Sequence, residues 1–319
     1  MRIAYRGNFG VRHSTESHIA ATLESMGHDV ERCQENKVSW ADQAGICRQE
    51  ASNADLFLWT CTHGYANKWR AGEALEAIKS IEQGTVTAAI HLDRFFGLKR
   101  ETQVTTEPWF KLQHVFTADG DNEQAFKDAG VNHHFLMPGV FDQECYLGTH
   151  RDEYASDIAF VGCHTPGYHP EYSGRMQLVN WLKQTYGDRC RFWPEPGKHA
   201  VRNEDLNDLY ASVKVVVGDS CFADTSVNYT SDRPYETVGR GGFLLYPFIP
   251  CVAKELTGDH ITMFAPGHFK ELEVLIDHFL ESEQDERRLA IRKAGSAYVK
   301  ENCSYRNRLS AMLTVMGLG

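Results

Sequence analysis

Apolar positions along this chain fall into short solid runs, separated by longer stretches in which they recur with helical period. Residues 2–5 form the first run, which ends at Gly7 and Gly10. Ser14 and Thr15 then offer a capping hydroxyl, Ile19, Leu23 and Met26 repeat at i, i+4 and i+7, and Gly27 stops the turn, so a helix is predicted there. Val30 opens a second strand. The runs at 55–60 and 85–92 carry no polar alternation, as expected of strands buried on both faces. Helices are predicted over 40–49, around Leu75, Ile78 and Ile81, and over 122–129, with strands at 114–117 and 134–137. Pro138-Gly139 and the polar stretch 142–156 break the pattern. It then restarts, with strands at 157–161, 190–192, 213–217 and 243–246, helices after Met176 and over 203–211 and 232–240, and a helical tail from 269. Strands alternating with helices give parallel sheets covered on both faces. Two such halves predict an α/β chain of two doubly wound, Rossmann-like domains, 1–145 and 146–319, facing a cleft, with the last helix able to pack back on the first half. Ligands of such sheets bind beyond the C-terminal ends of the strands.

Composition narrows the function classes without moving the fold. The 319 residues carry a net charge of −10, so no global positive field exists for coating nucleic acid, though a local basic groove stays open. The longest apolar stretch, 243–253, is too short for a membrane helix and holds Pro247 and Pro250; no membrane span is expected. The first residues read as a buried strand and not as a signal peptide. Nine cysteines, odd in number and without a CxxC pair, point to reduced thiols in a cytoplasmic protein and away from a structural zinc site.

The stretch Tyr229-Thr-Ser-Asp-Arg-Pro-Tyr-Glu-Thr-Val-Gly-Arg-Gly-Gly-Phe-Leu-Leu-Tyr246 holds the most chemistry. Asp232 or Ser231 can cap a short helix with Pro234 in its first turn, and Arg233 stands beside the helix N-terminus, a physical description of a diphosphate site. Glu236, one turn in, can accept both hydroxyls of a ribose. An ordinary capped helix with a solvated Glu236 fits the same spacing. Gly162, after the 157–161 strand, permits close backbone approach to a phosphate. Arg175 opens the next helix and either neutralises a leaving diphosphate or is a surface arginine.

These residues carry a resemblance. Asp232 to Leu245 looks like the donor-site segment of GT-B glycosyltransferases, in particular the branch similar to spore-maturation glycosyltransferase-like proteins. Glu286-Arg-Arg-Leu-Ala in the tail, Tyr305-Arg-Asn-Arg308, the opening Arg2-Ile-Ala-Tyr-Arg-Gly-Asn-Phe-Gly10 with His13-Ser-Thr-Glu16, His91-Leu-Asp-Arg94 and Phe116-Thr-Ala-Asp-Gly120 resemble the same group, so the likeness runs over most of the chain. It implies a transferase that moves a sugar from a nucleotide diphosphate, by default a UDP-sugar, with no further cofactor. Glu236 then corresponds to the ribose-binding carboxylate and Arg233 to the diphosphate contact, with Asp232, Tyr235, Gly162, Arg175 and Gly10 on the donor side. Retaining relatives carry an acid eight positions before that glutamate. Here Asn228 stands there, which puts retention in doubt and slightly favours inversion. No DxD motif is present, so a metal is not required and arginines would stabilise the leaving group.

The acceptor falls to the first half, where a general base is needed. Asp93 follows the 85–92 strand and ranks first; a helix cap or an ion pair with Arg94 is its other reading. His13 and Glu16, on the first strand-to-helix loop, follow, although Glu16 also reads as a solvated first-turn carboxylate. His63, His91 and Arg94 complete the acceptor side. The resemblance reaches glycosyltransferases of phage and actinobacterial contexts, some of which decorate hydroxymethylated pyrimidines such as 5-hydroxymethylcytosine in DNA; a phage-encoded enzyme would work in the host cytoplasm. For a DNA acceptor the chain offers basic clusters at Arg94, Lys99 and Arg100, Lys198 and Arg202, Arg292, Lys293 and Lys300, and Arg306 and Arg308, beside Phe95, Phe96, Trp109 and Trp193. A saccharide or other small acceptor is equally open, and so is a non-catalytic nucleotide-sugar-binding module.

Overall fold

The computed structural model describes residues 1–35, 51–60, 84–165, 172 and 174–319. The helices expected over 40–49 and around Leu75 lie outside the described residues, as does His63. The chain divides into two compact units, Met1–Met137 together with Arg308–Gly319, and Pro138–Asn307.

The first unit is built on β1 (Arg2–Gly7), β2 (Asp29–Gln34), β3 (Leu56–Trp59), β4 (Val86–His91), β5 (His114–Thr117) and β6 (His133–Phe135). These form one parallel sheet in the order β2-β1-β3-β4-β5-β6. Ile3 pairs with Val30 on one side and Leu56 on the other, so the order reverses between β1 and β3. That switch point follows the loop 8–14 into α1 (Thr15–Ser25). Ser14 caps this helix as expected, its hydroxyl accepting the Ser17 N–H at 3.1 Å, and Gly27 ends it at φ +88°. α2 (Gln103–Thr106) and α3 (Glu123–Asp128) are short. Phe57, Trp59, Trp109, Phe110 and Phe126 pack together in the sheet's core cluster, T-shaped or tilted against one another except for the stacked Phe110–Phe126 pair.

The second unit begins with β7 (Ser156–Val161), α4 (Gly174–Tyr186), β8 (Cys190–Trp193), α5 (Asn203–Ser212) and β9 (Val213–Val217). It continues through α6 (Arg233–Gly239), β10 (Leu244–Pro247), α7 (Pro250–Glu255), β11 (Thr262–Phe264), α8 (Phe269–Leu280) and α9 (Asp285–Asn302). The last helix, α10 (Tyr305–Val315), runs from this unit into the first. The sheet is again parallel, in the order β11-β10-β9-β7-β8, and reverses between β7 and β9. α4 and α8 share one apolar cluster through Leu178, Val179, Leu182, Leu272 and Ile276. α6 instead crosses α9, where an added Cβ on Gly295 would lie 2.7 Å from Val238 Cγ1.

Two elements were not expected. The apolar stretch 243–253 splits into β10 and α7, and β11 follows. β11 is three residues long and pairs only with β10, so it carries too little apolar pattern to stand out. Among the described residues no helix is long and apolar enough to cross a membrane.

Candidate donor-binding site

The second unit gathers the donor-side candidates at the C-terminal end of β7 and the start of α6. Gly162 leaves β7 at φ +154°, outside the range open to side-chain-bearing residues, and its N–H donates to the Trp193 carbonyl at 2.9 Å. A Cβ built there would lie 3.3 Å from Arg233 Nη2, so the bare backbone and the guanidinium share one space. Arg233 is the first residue of α6, and its Nη1 stands 3.5 Å from Glu236 Oε2. Burial works against the guanidinium charge, but Glu236, Tyr210 and Asp232 outweigh it and raise its pKa. Glu236 is not the solvated carboxylate of the simpler reading: its side chain is 17 % exposed and lies between Arg233 and Arg240, whose Nε is 3.9 Å from Oε1.

Arg240 escaped the sequence reading. It closes α6, is buried, donates from Nη1 to Asn207 Oδ1 (2.6 Å) and the Asn203 carbonyl (3.0 Å), and pairs through Nη2 with Glu144. The signal was a charged residue within Gly239-Arg-Gly-Gly242, a turn whose glycines otherwise report only helix termination.

Arg175 is not a surface arginine. Its side chain is largely buried and its Nε lies 3.1 Å from Asp219 Oδ2, while Tyr172 donates to Oδ1 at 3.0 Å. Burial pushes the Asp219 carboxyl up, and Arg175 and Tyr172 pull against that. Burial and like-charge repulsion from Arg233 act against the Arg175 charge, and Asp219 outweighs them and raises its pKa. Asp219 ends β9 as Asp93 follows β4, so the end-of-strand reasoning applied to Asp93 reaches it too.

Two donor-side expectations change. Asp232 takes helical backbone angles and makes no capping bond; Ser231 Oγ takes the Arg233 N–H at 3.4 Å instead. Tyr235 turns inward, fully buried, and its hydroxyl donates to Glu255 Oε2 at 2.6 Å, tying α6 to α7. Gly10 sits exposed in the first unit's 8–14 loop, its N–H 3.3 Å from Asn8 Oδ1.

The first unit holds the acceptor-side candidates. Asp93 pairs with Arg100 at 2.9 Å and not with Arg94, which reaches Asp121 at 3.6 Å and donates to the Phe96 carbonyl. Asp119 organises this loop by accepting the Phe95 and Phe96 N–H groups. His91 lies edge-on to Phe95 with ring centroids 4.7 Å apart. His13 is exposed. Glu16 is not solvated: it is 1 % exposed, packs against Gly7, and its Oε1 has no hydrogen-bond partner. Burial foremost, with nearby Glu35 adding to it, pushes its pKa up. Of the aromatics read beside basic clusters, Phe95, Trp109 and Trp193 are core residues and Phe96 packs against Phe126, so they serve packing in this structure.

Residues 175–314 match the family model described as glycosyl transferase-like. No curated protein matches the sequence. Solved structures match over the whole chain. HepE of Anabaena, in complex with UDP, is 13% identical and covers 99% of this chain and 100% of its own, with a TM-score of 0.60. An alpha-glucosyltransferase in complex with UDP and a 13-mer DNA is 8% identical, with coverage of 99% and 100% and a TM-score of 0.67. The T4 phage BGT bound to UDP-glucose is 11% identical, with coverage of 99% and 98% and a TM-score of 0.57. The chain is thus GT-B in fold and glycosyl transferase-like in sequence over residues 175–314.

Proposed function

We propose that this protein is a glycosyltransferase that takes a sugar from a UDP-sugar and joins it to an acceptor hydroxyl. The meeting of Gly162, Arg233 and Glu236 at the end of β7 and the start of α6, with Arg175 held on Asp219 after the adjacent strand β9, carries the reading. Gly162 admits a phosphate to bare backbone, the two arginines neutralise charge that develops on the departing diphosphate, and Glu236 accepts the ribose hydroxyls. UDP as the nucleotude half is supported by the HepE and BGT structures, which hold UDP or UDP-glucose on the same fold. No metal is required in this scheme.

The base belongs to the first unit. With Asp93 taking the proton of the acceptor hydroxyl, the acceptor oxygen bonds to the anomeric carbon from the face opposite the departing UDP as the bond to UDP breaks, which gives inversion, in keeping with Asn228 at the position where retaining relatives carry an acid. His13 is the second candidate and Glu16 the third; burial pushes the Glu16 pKa up, which favours its protonated form and counts against it as a base. Determining the product anomer by NMR decides the stereochemistry; retention removes Asp93 from the role.

Two acceptors are supported by different observations. A hydroxymethylpyrimidine in DNA follows the likeness in fold to the alpha-glucosyltransferase held with DNA, and with it the branch of phage and actinobacterial enzymes. A saccharide is favoured by the ion pairs that occupy Arg94 and Arg100 and by the burial of Phe95, Trp109 and Trp193, which withdraws them from base stacking. The test incubates the protein with UDP-sugars and either hydroxymethylated DNA or oligosaccharides, following UDP release and product mass. Arg233→Ala should weaken UDP binding about 10- to 100-fold, the loss of one charge-assisted contact. Binding without turnover on any acceptor would leave a non-catalytic module; unchanged UDP affinity in Arg233→Ala would sink the donor assignment.

A further inference from the structure

The second unit holds a cavity of about 350 Å³ that the donor reading does not use. It opens at the starts of α4 and α8 and the C-terminal ends of β9–β11, and its lining includes Tyr172, Gln177, Asp219, Phe222, Asp224 and Phe269. Neither Arg233, Glu236 nor Gly162 lines it. Its size is that of a small-molecule pocket.

Three features define what it can take. First, among the described residues its lining has no lysine, arginine or histidine, and the one guanidinium that reaches a lining carboxylate, Arg175, is balanced by Asp219. Second, its walls are aromatic. Phe222 and Tyr172 stand with ring centroids 5.8 Å apart, and Phe269 is stacked on Trp181 at 5.1 Å, which holds its ring in place. Phe222 is kept at φ +58°, a conformation that a bulky residue adopts only when its surroundings impose it and that concentrates at ligand sites. Third, its polar groups pair two carboxylates, Asp219 and Asp224, which accept, with the Gln177 amide and the Thr225 hydroxyl, which can both donate and accept. Asp219 is already charge-balanced by Arg175 and oriented by Tyr172, and each of its oxygens has capacity for a further donor.

Apolar rings beside fixed acceptors suit a molecule with an apolar face and a rim of O–H donors. A uracil ring has a single N–H donor between two carbonyl acceptors and so meets two carboxylates less well than a ring of hydroxyls does. We infer that this cavity is a binding site for an uncharged sugar ring, joined to the diphosphate-binding residues through the Asp219–Arg175 pair but not lined by them. The sugar is either the one carried by the nucleotide or a unit of a saccharide acceptor. The inference rests on the proposed transferase reading for its choice of ligand and on the cavity for its place.

Saturation-transfer NMR and titration with glucose, galactose and maltose test it, on the full chain, alone and saturated with UDP or a UDP-sugar. The expected result is sugar binding that survives UDP saturation. Loss of that binding on adding the UDP-sugar assigns the cavity to the transferred sugar, and persistence assigns it to an acceptor unit. Phe222→Ala should weaken sugar binding about tenfold while UDP affinity stays unchanged. Gln177→Ala, on the exposed rim, should weaken it severalfold and guards against misfolding of the first variant. No binding of any sugar while UDP binds normally, or displacement of the sugar by UDP alone, overturns the inference and leaves the donor reading standing. Failure of UDP itself to bind defeats the donor reading, and sugar binding in that same protein would still stand on the cavity.

Discussion

Gly162 and Arg233 depend on each other through a few tenths of an ångström. A methyl at position 162 would meet both a forbidden backbone angle and the guanidinium 3.3 Å away. Gly162→Ala should therefore lower stability by on the order of 1–3 kcal/mol in urea titration and weaken UDP binding through displacement of Arg233. Glu16 makes a second test at this scale. Its pKa is raised by burial, so the folded state holds a proton that the unfolded chain has released. The stability it contributes is present below the ordinary glutamate pKa and is lost as pH rises through its folded value. Glu16→Gln should remove that part of the pH dependence: the variant's stability relative to the parent should improve on moving from acid to neutral pH. Parallel urea midpoints across that range would refute the buried-carboxyl account.

The crossing of α6 over α9 is set by small residues. Gly295 faces Val238 and the His260 carbonyl, and Gly239 faces Cys145 and Val299, each too close to admit a Cβ without movement. Gly295→Ala should cost about 1–3 kcal/mol and, because α6 carries Arg233 and Glu236, should weaken UDP binding as well. The β5–β6 edge carries a different liability. His133 donates or accepts at Thr117 Oγ1 (2.8 Å), stacks on Phe126 at 4.1 Å, and has its pKa pushed down to about 4 by burial first and His134 second. His114 and His134, 3.1 Å apart, are lowered too. The neutral form is the folded one, so stability is full above the ordinary histidine pKa and falls as pH drops toward 4. His133→Gln should shallow that acid loss in thermal melts between pH 7 and 4.

At the scale of the whole molecule the question is which acceptor the protein serves. A net charge of −10, with Arg94 and Arg100 engaged in ion pairs, leaves little fixed positive potential for a polyanion. If DNA is nonetheless the acceptor, its binding should weaken steeply between 50 and 200 mM salt, about 10³-fold or more for six or more phosphate contacts. A saccharide acceptor should show almost no salt dependence. Trp109→Ala should unfold the first unit at lower urea, by about 3–5 kcal/mol, because Trp109 is part of the core that Trp59 and Phe110 build.

The alternation of apolar runs with helical periods determined two parallel-sheet halves, because a strand buried on both faces and a helix buried on one leave different repeats in the sequence. The glycine-bounded motif at 232–245 likewise made α6 legible, along with Arg233 and Glu236. Tertiary structure alone decided which charges meet. Asp93 finds Arg100 rather than its neighbour Arg94, Arg175 finds Asp219 across 44 positions, and Arg240 is buried against Glu144 across 96. It also decided that Tyr235 faces inward and that Phe95, Trp109 and Trp193 are core. Periodicity records which side of an element is buried; it does not record which distant element lies against that side, and a charge's partner is set by that contact.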